Sequence, residues 1–214
     1  MSTDDDHRHW LRLIARRDAS SEAAMAQFYR ALSGATFAFV QHRLDNAHEA
    51  EAVVVETMYE VWRVAGQFQG GSLVKTWLLG VARHKLLDAL RRRGQHRHDD
   101  IDDHADALAD TSAGAFEQLA AQQQAEWVAQ CMARLGDEHR ESLHLLFYEG
   151  LSVAEIAQVQ GVPDGTVKTR VFHAKKKIKA CLARWLAATG QAAQGALGAP
   201  GPQSGPLNPA GAHG

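Results

Sequence analysis

The sequence predicts an all-α protein of two small helical domains joined by a flexible acidic linker. Three observations carry this. Four of the five prolines lie after residue 199, so the chain before that point is nearly free of helix breakers. Apolar residues recur at three- and four-residue spacing through most of the first 186 positions. Charge is segregated: the 214-residue chain carries only −2 overall, yet residues 83–98 carry +5, residues 99–117 carry −7 and residues 164–185 carry +6. Two basic blocks around one acidic block suggest two polyanion-binding surfaces joined by a solvated hinge, where the net charge alone suggests no nucleic-acid partner. Taken singly, each block is also what a solvated helix face looks like.

Length and composition, 45% apolar and 22% charged, fit a soluble chain of one domain or two small ones. No apolar run approaches about 18 residues, which predicts no membrane insertion. Met1–Asp6 is acidic and lacks the apolar stretch of a signal peptide, so a cytoplasmic location is expected. Cys131 and Cys181, 50 residues apart, match neither a disulfide framework nor a zinc motif and fit a reducing compartment.

The first predicted helix spans 21–43, with Ser20 or Ser21 as its cap and Met25, Phe28, Tyr29, Leu32 and Phe39 near one face. A second, over 47–65, places Val54, Met58, Val61 and Ala65 together. Gln67–Ser72 is a loop around paired glycines, with Ser72 as the next cap. A third helix runs to about Arg93 on a stripe of Leu79, Ala82, Leu86 and Leu90, closing a domain over 1–94. Residues 95–113, rich in His and Asp, read as linker. Helices resume at about 115–135, with Trp127, Cys131 and Leu135, and at 138–149, with Leu143, Leu146 and Phe147. With 152–160 and 164–186 they form a second domain over 114–189. Residues 190–214 hold seven Gly, four Pro, six Ala and no charge, and are expected to form a disordered tail.

The strongest local signal lies in 151–178. Ser152-Val-Ala-Glu155 is a capping box, Gly161 supplies a tight turn, and Pro163-Asp164 opens the next helix. Val167, Val171, Ala174 and Ile178 must face a core, which leaves Thr166, Lys168, Thr169, Arg170, His173, Lys176 and Lys177 outside. A short helix, a glycine turn and a helix with a basic outer face make a helix-turn-helix. Its second helix fits a major groove roughly 12 Å wide, with N-terminal side chains at base edges and the later lysines at phosphates.

These residues resemble a known family. Arg140-Glu-Ser-Leu143, Phe147-Tyr-Glu-Gly-Leu-Ser-Val-Ala-Glu-Ile-Ala157 and Gly161-Val-Pro-Asp-Gly-Thr-Val-Lys-Thr-Arg170 resemble region 4 of bacterial sigma factors, closest to the extracytoplasmic-function (ECF) group of the sigma-70 family. Independently, Glu49–Trp62 is similar to region 2.2 and Phe68–Arg93 to regions 2.3 and 2.4. The resemblance covers about 25–94 and 117–185. It implies a dissociable subunit of core RNA polymerase that binds promoter DNA, with no catalytic site, cofactor or metal of its own, and with an anti-sigma partner.

On this resemblance Thr166, Lys168, Thr169, Arg170, Phe172, His173, Lys176 and Lys177 would contact a −35 element. Glu51, Val55, Glu56, Tyr59 and Arg63 would contact the polymerase. Gln67, Phe68, Gln69, Gly70, Gly71, Ser72, Lys75, Arg83, His84, Lys85, Arg91 and Arg92 would recognise and melt a −10 element. Melting needs a positive surface for phosphates and a pocket for an unstacked base, and the donors, acceptors and pliant backbone of 67–73 suit such a pocket. Phe68, Trp62 and Trp77 could stack bases, although core packing is the simpler role for the two tryptophans.

The chain departs from the family pattern at Ala52 and Val55, where an acid and a Gln are usual, at His84, where Asn is common, and at His173, where Arg is common. Apolar contact would then replace hydrogen bonds at the polymerase, and His173 would alter −35 preference. A helix-turn-helix regulator that is not a sigma factor would need only 138–186 and would leave 49–93 unexplained. A metal enzyme built on His96, His98, Asp99, Asp100, Asp102, Asp103 and His104 has no recognisable ligand spacing. The −7 linker is also an internal candidate for shielding either basic face.

Overall fold

In a computed structural model of the chain, the described residues are 3–44, 46–96 and 125–197, with side chains described for 3–44, 46–94 and 125–187. They form α1 (Thr3–Arg16), α2 (Ser21–Gln41), α3 (Ala47–Val64) with a 3-10 turn at Ala65–Gln67, α4 (Val74–His96), α5 (125–133), α6 (Asp137–Phe147), α7 (Val153–Gln160) and α8 (Asp164–Leu197). No strand occurs among them. The expected linker 95–113 lies almost wholly outside the described residues, as do most of the tail and residues 114–124.

Helix α1 is an addition to the sequence reading. Asp4, Asp5 and Asp6 sit in its first turn and Arg16 in its last, which suits the helix dipole. His7, Leu11 and Ile14 supply the buried stripe. The expected serine caps do other work. Ser20 makes no cap bond, and Ser21 Oγ donates to Leu13 O and accepts from Asp18 N, closing the α1–α2 corner. Ser72 does not cap α4; instead the Val74 N–H donates to Asp4 Oδ1 at 2.8 Å, so the cap comes from α1. Asn46 caps α3 by accepting from His48 N and Glu49 N.

One core cluster fills the N-terminal half, with Leu11, Ile14, Phe28, Leu32, Met58, Val61 and Leu78. The second is shared. Phe39, Val40, Leu44, Leu79, Ala82 and Leu86 pack in one cluster with Leu145, Ile156, Val159, Val167 and Ala174. The sequence reading placed two bundles side by side on a linker. In the structure they bury apolar surface against each other, with α7 lying on α4. Tyr29, expected in the core, is exposed, and so is Phe147.

Polar contacts register the two halves. Glu141 of α6 is fully buried and accepts from Arg83 Nε of α4 at 2.6 Å. Arg43, just after α2, reaches Glu141 at 3.4 Å and Asp137 at 2.8 Å. Lys75 pairs with Glu149 at 2.8 Å, and the Thr76 hydroxyl donates to Glu155 at 3.0 Å.

The cysteines also correct the sequence reading. Cys131 of α5 and Cys181 of α8 form a disulfide with Cα atoms 5.9 Å apart. Trp127 stacks on Trp185 at 5.9 Å. Four residues back along α5 meet four residues forward along α8, so the two helices run antiparallel. A separation of 50 residues carries no hint of this pairing. In the chain-entropy account, a cross-link over a loop of this length stabilises by about 4 kcal/mol. Replacing both cysteines by serine is expected to lower the urea midpoint accordingly, and a reductant should produce the same shift in the parent and none in the variant.

Candidate nucleic-acid interface

The helix-turn-helix is built as its residues dictate. Ser152 Oγ accepts from Glu155 N at 3.3 Å, and Glu155 Oε2 accepts from Ser152 N at 2.9 Å, completing the capping box. Gly161 takes the left-handed φ of 66° that ends α7. The Thr166 N–H donates to Pro163 O as α8 begins. Val167, Val171 and Ala174 are buried, while Lys168, Thr169, Phe172, His173, Lys176 and Lys177 are exposed and Thr166 is half-buried. Phe172, at 63% exposure, is a large apolar side chain standing on this otherwise polar face. Arg170 departs from the expected set. Its guanidinium donates to Gln160 Oε1 at 2.9 Å and Glu138 Oε2 at 2.7 Å, so it ties α8 to α7 and α6 rather than facing outward.

The loop between α3 and α4 opens onto a cavity of about 430 Å³. Gln67, Phe68, Gln69, Gly71, Ser72, Trp77 and His84 line it, and Gln158 of α7 forms part of its wall. Phe68 and Trp77 meet with ring centroids 5.4 Å apart. Trp62 and Trp77 are half-buried against the first core cluster, and the Arg17 guanidinium lies over the Trp62 ring.

The basic residues of α4 are not the free positive face that charge counting suggests. Besides Arg83 with Glu141 and Lys75 with Glu149, Lys85 pairs with Glu60 at 3.0 Å. Arg91 pairs with Asp88 at 3.0 Å and Arg92 with Glu56 at 3.1 Å. The Lys85 hydrogen bond holds the Glu60 carboxyl below its ordinary value, with Arg63 helping. Glu56 therefore reaches Arg92 of α4 while its side chain stays partly exposed beside the outer face of α3. That face carries Glu51, Val55, Tyr59 and Arg63 at four-residue spacing. Val55 is 59% exposed and Tyr59 64% exposed. Beside them a cavity of about 390 Å³ is lined by Tyr29, Phe37, Glu51 and Val55. Tyr29 escaped the sequence reading because its spacing from Met25 and Leu32 mimics a core position.

Comparison with known proteins decides between a lone helix-turn-helix and a two-part protein. Residues 28–96 match the family model for sigma-70 region 2, and residues 125–178 match that for sigma-70, region 4. The chain belongs to the sigma-70 family, in its ECF group. It is 28% identical to the ECF RNA polymerase sigma factor RpoE of Cereibacter sphaeroides, over 84% of this chain and 98% of that protein. It is 27% identical to the ECF RNA polymerase sigma factor SigK of Mycobacterium bovis, over 79% and 91%. Two solved structures share the fold with TM-scores of 0.61. One is the sigma factor RpoE in complex with the anti-sigma factor NepR from Bartonella quintana, 23% identical over 74% of this chain and 96% of that one. The other is CnrH in complex with the cytosolic domain of CnrY, 20% identical over 84% and 99%. The chain is thus a sigma factor acting in transcription initiation. Among the described residues, no helix is long and apolar enough to cross a membrane and no cluster suits a metal ion.

In this sigma factor the seam between regions 2 and 4 holds a histidine stack. His42 and His144 lie 4.3 Å apart with planes at 16°, and Tyr148 continues the stack at 5.1 Å. His144 Nε2 lies 3.5 Å from Glu149. Burial pushes His42 down to about 3, aided by His144, Arg43 and Arg140 and opposed by its contact with the Phe39 carbonyl. Burial raises the Glu149 carboxyl, but His144 and Lys75 outweigh it and hold the group below its ordinary value.

Packing therefore favours neutral His42. This contribution is complete above the ordinary value of 6.5 and is lost as pH falls below it, at about 1.4 kcal/mol per pH unit. The Glu149 and Asp137 carboxyls are held below their ordinary values of 4.5 and 3.8, so what they contribute is lost only as pH falls below those values. The decline between about pH 6.5 and 5 thus belongs to histidines: His42 foremost, with His7 and His139, which burial also holds below 6.5, adding to it. The urea midpoint of the parent should fall over that window, and His42→Asn should flatten the fall.

Proposed function

We propose that the outer face of α8 reads a −35 element, the cavity behind Gln67–Ser72 holds an unstacked base of a −10 element, and the outer face of α3 binds core RNA polymerase. One observation carries this reading: the exposed stripe Lys168, Thr169, Phe172, His173, Lys176 and Lys177 on the second helix of a fully formed helix-turn-helix. On α4, Lys75, Arg83, Lys85, Arg91 and Arg92 would exchange their carboxylate partners for phosphates, beside His84, which stands exposed at the cavity. Gly70 takes the positive φ that shapes the loop, and Gly71 adds no side chain at the cavity wall. Val55 and Tyr59 would supply apolar contact at the polymerase, flanked by Glu51 and Arg63.

The domain limits that fit this division are 1–94 and 114–189. The protein has no catalytic role in this reading and works in the cytoplasm, where its polymerase and promoters are. The packed state is the idle one: Glu141, Glu149 and Glu155 occupy the α4 face that DNA would need, and Gln158 walls the base cavity. The anti-sigma factor NepR occupies one solved relative, and the cytosolic domain of CnrY the other. By analogy an anti-sigma partner would hold this chain in that state. Shielding by the acidic linker is not needed to cover α4, because carboxylates of α6 and α7, with Glu149 between them, already do so.

Run-off transcription with core polymerase and genomic fragments tests the whole reading: specific start sites should appear only when this chain is added. Thr169→Ala or His173→Ala should change −35 base preference, with about 1–3 kcal/mol at stake per good contact. Lys176→Ala and Lys177→Ala should instead weaken all sequences alike and reduce the salt slope by about one each. Arg170→Ala should reduce stability more than base preference. Tyr59→Ala should lower affinity for core polymerase by about 2 kcal/mol without altering DNA preference. Unchanged co-purification of that variant would place the polymerase interface elsewhere.

A further inference from the structure

Helix α1 precedes the residues matched by the region 2 family model, yet it holds the loop that the model includes. Arg8 Nη2 donates to Ser72 O at 2.7 Å, and Nη1 reaches Gly70 O at 3.5 Å. The same guanidinium stands 5.4 Å from the Phe68 ring centroid. Its Nε donates to Asp4 Oδ2 at 2.5 Å, one helical turn back. Asp4 uses its other oxygen to accept from the Val74 N–H, the first residue of α4. A single i,i+4 pair on α1 therefore grips the loop at Phe68, Gly70 and Ser72 and also fixes the start of the following helix.

Gly70 shows how close this grip is. Its φ of +76° suits glycine, and a Cβ there would stand 3.0 Å from Arg8 Nη1. Phe68, Gly71 and Ser72 form one wall of the 430 Å³ cavity. The carbonyls of Gly70 and Ser72 are bound from the α1 side, which fixes the backbone from which Gln67 and Gln69 project. A guanidinium with its fork on two carbonyls and its Nε on a carboxylate has few alternative placements, so the loop is set before any ligand arrives.

We propose that Asp4 and Arg8 are positioning residues for base capture by this sigma factor: they hold the Phe68–Ser72 backbone in the shape that admits an unstacked base. This rests on the reading that the loop takes a −10 base. Arg8 acts through the loop and does not itself touch DNA. The pair should therefore control base discrimination without contributing a phosphate contact.

The test uses the full chain bound to core polymerase and single-stranded DNA oligonucleotides randomised at six positions. Selection yields the preferred sequence, and affinity for it is then compared with that for a scrambled sequence across a salt series. Arg8→Ala and Asp4→Asn should each reduce this discrimination by about tenfold, with the salt slope of the preferred sequence unchanged. Arg8→Lys keeps the charge and the stem but not the fork, so it should share the defect; it also serves if Arg8→Ala fails to fold. A slope that falls by about 0.7 would mean that Arg8 contacts a phosphate directly, which overturns the positioning role. Full discrimination in the Arg8 variants, with loss in Gln69→Ala, would overturn the role of α1 and keep the loop as the base site. Full discrimination in Gln69→Ala and the Arg8 variants alike would overturn the loop reading itself.

Discussion

The arrangement of the two halves turns on one carboxylate. Glu141 has no solvent exposure, and it lies between Arg83 of α4 and Arg43 at the end of α2. Removing an ion pair from water costs several kcal/mol per ion, on general grounds, and good geometry only offsets that. The pair is therefore a weak source of net stability but a strict determinant of register. Any packing of region 4 on region 2 that slid α6 by one turn would bury Glu141 without partners, at a penalty of about 3–5 kcal/mol. The apolar cluster of Leu79, Ala82, Leu86, Ile156 and Val159 supplies non-directional attraction. Glu141 selects which of the apolar arrangements is occupied.

That register decides what each helix can present. With α6 fixed, α7 lies on α4, and Glu155, which caps α7, also accepts from Thr76. One side chain thus belongs to the helix-turn-helix and to the seam. Helix α8 is left with its basic stripe pointing away from region 2. The disulfide and the Trp127–Trp185 stack hold α5 against α8, and Lys175 lies over Phe147 on the same side of region 4. The resulting groove, of about 650 Å³, is lined by Val128, Met132, Leu143, Ile178, Leu182 and Leu186 and is almost entirely apolar.

Much of this was legible in the sequence, and the physical reason differs from element to element. The helix-turn-helix was readable because its cap, turn and apolar period are all local, and each depends on residues within four positions. The family resemblance brought the loop Gln67–Ser72 and the α3 face into view, and three of the α3 residues stand exposed at four-residue spacing beyond Glu51. Helix α1 was missed because charged and His residues dominate its sequence, although His7, Leu11 and Ile14 carry the period. The contacts hidden from sequence are those between distant positions. Arg43 and Arg83 meet Glu141 across 98 and 58 residues, and Asp4 reaches Val74 across 70. Arg170 was misplaced, and the Glu56–Arg92 pair was hidden, for the same reason. A polar residue on an outward helical face reads as free until the neighbouring element that claims it is known.

The two proposed DNA surfaces of the packed protein are consequently unequal. Lys168, Thr169, His173, Lys176 and Lys177 stand exposed with every contact of the seam intact. A strand in the cavity behind the loop would lie against Gln158, and to use Arg83 or Lys75 it would take the place of Glu141 or Glu149. The loop itself does not have to change, because Arg8 and Asp4 hold it from α1, which packs mainly on α2 and the 3-10 turn. Opening the seam would expose a site already shaped rather than one still to be formed. The energetic cost of promoter engagement then resides in the interface between the halves. There the ion pairs would trade carboxylate for phosphate, and His42, once solvated, would recover its ordinary affinity for a proton.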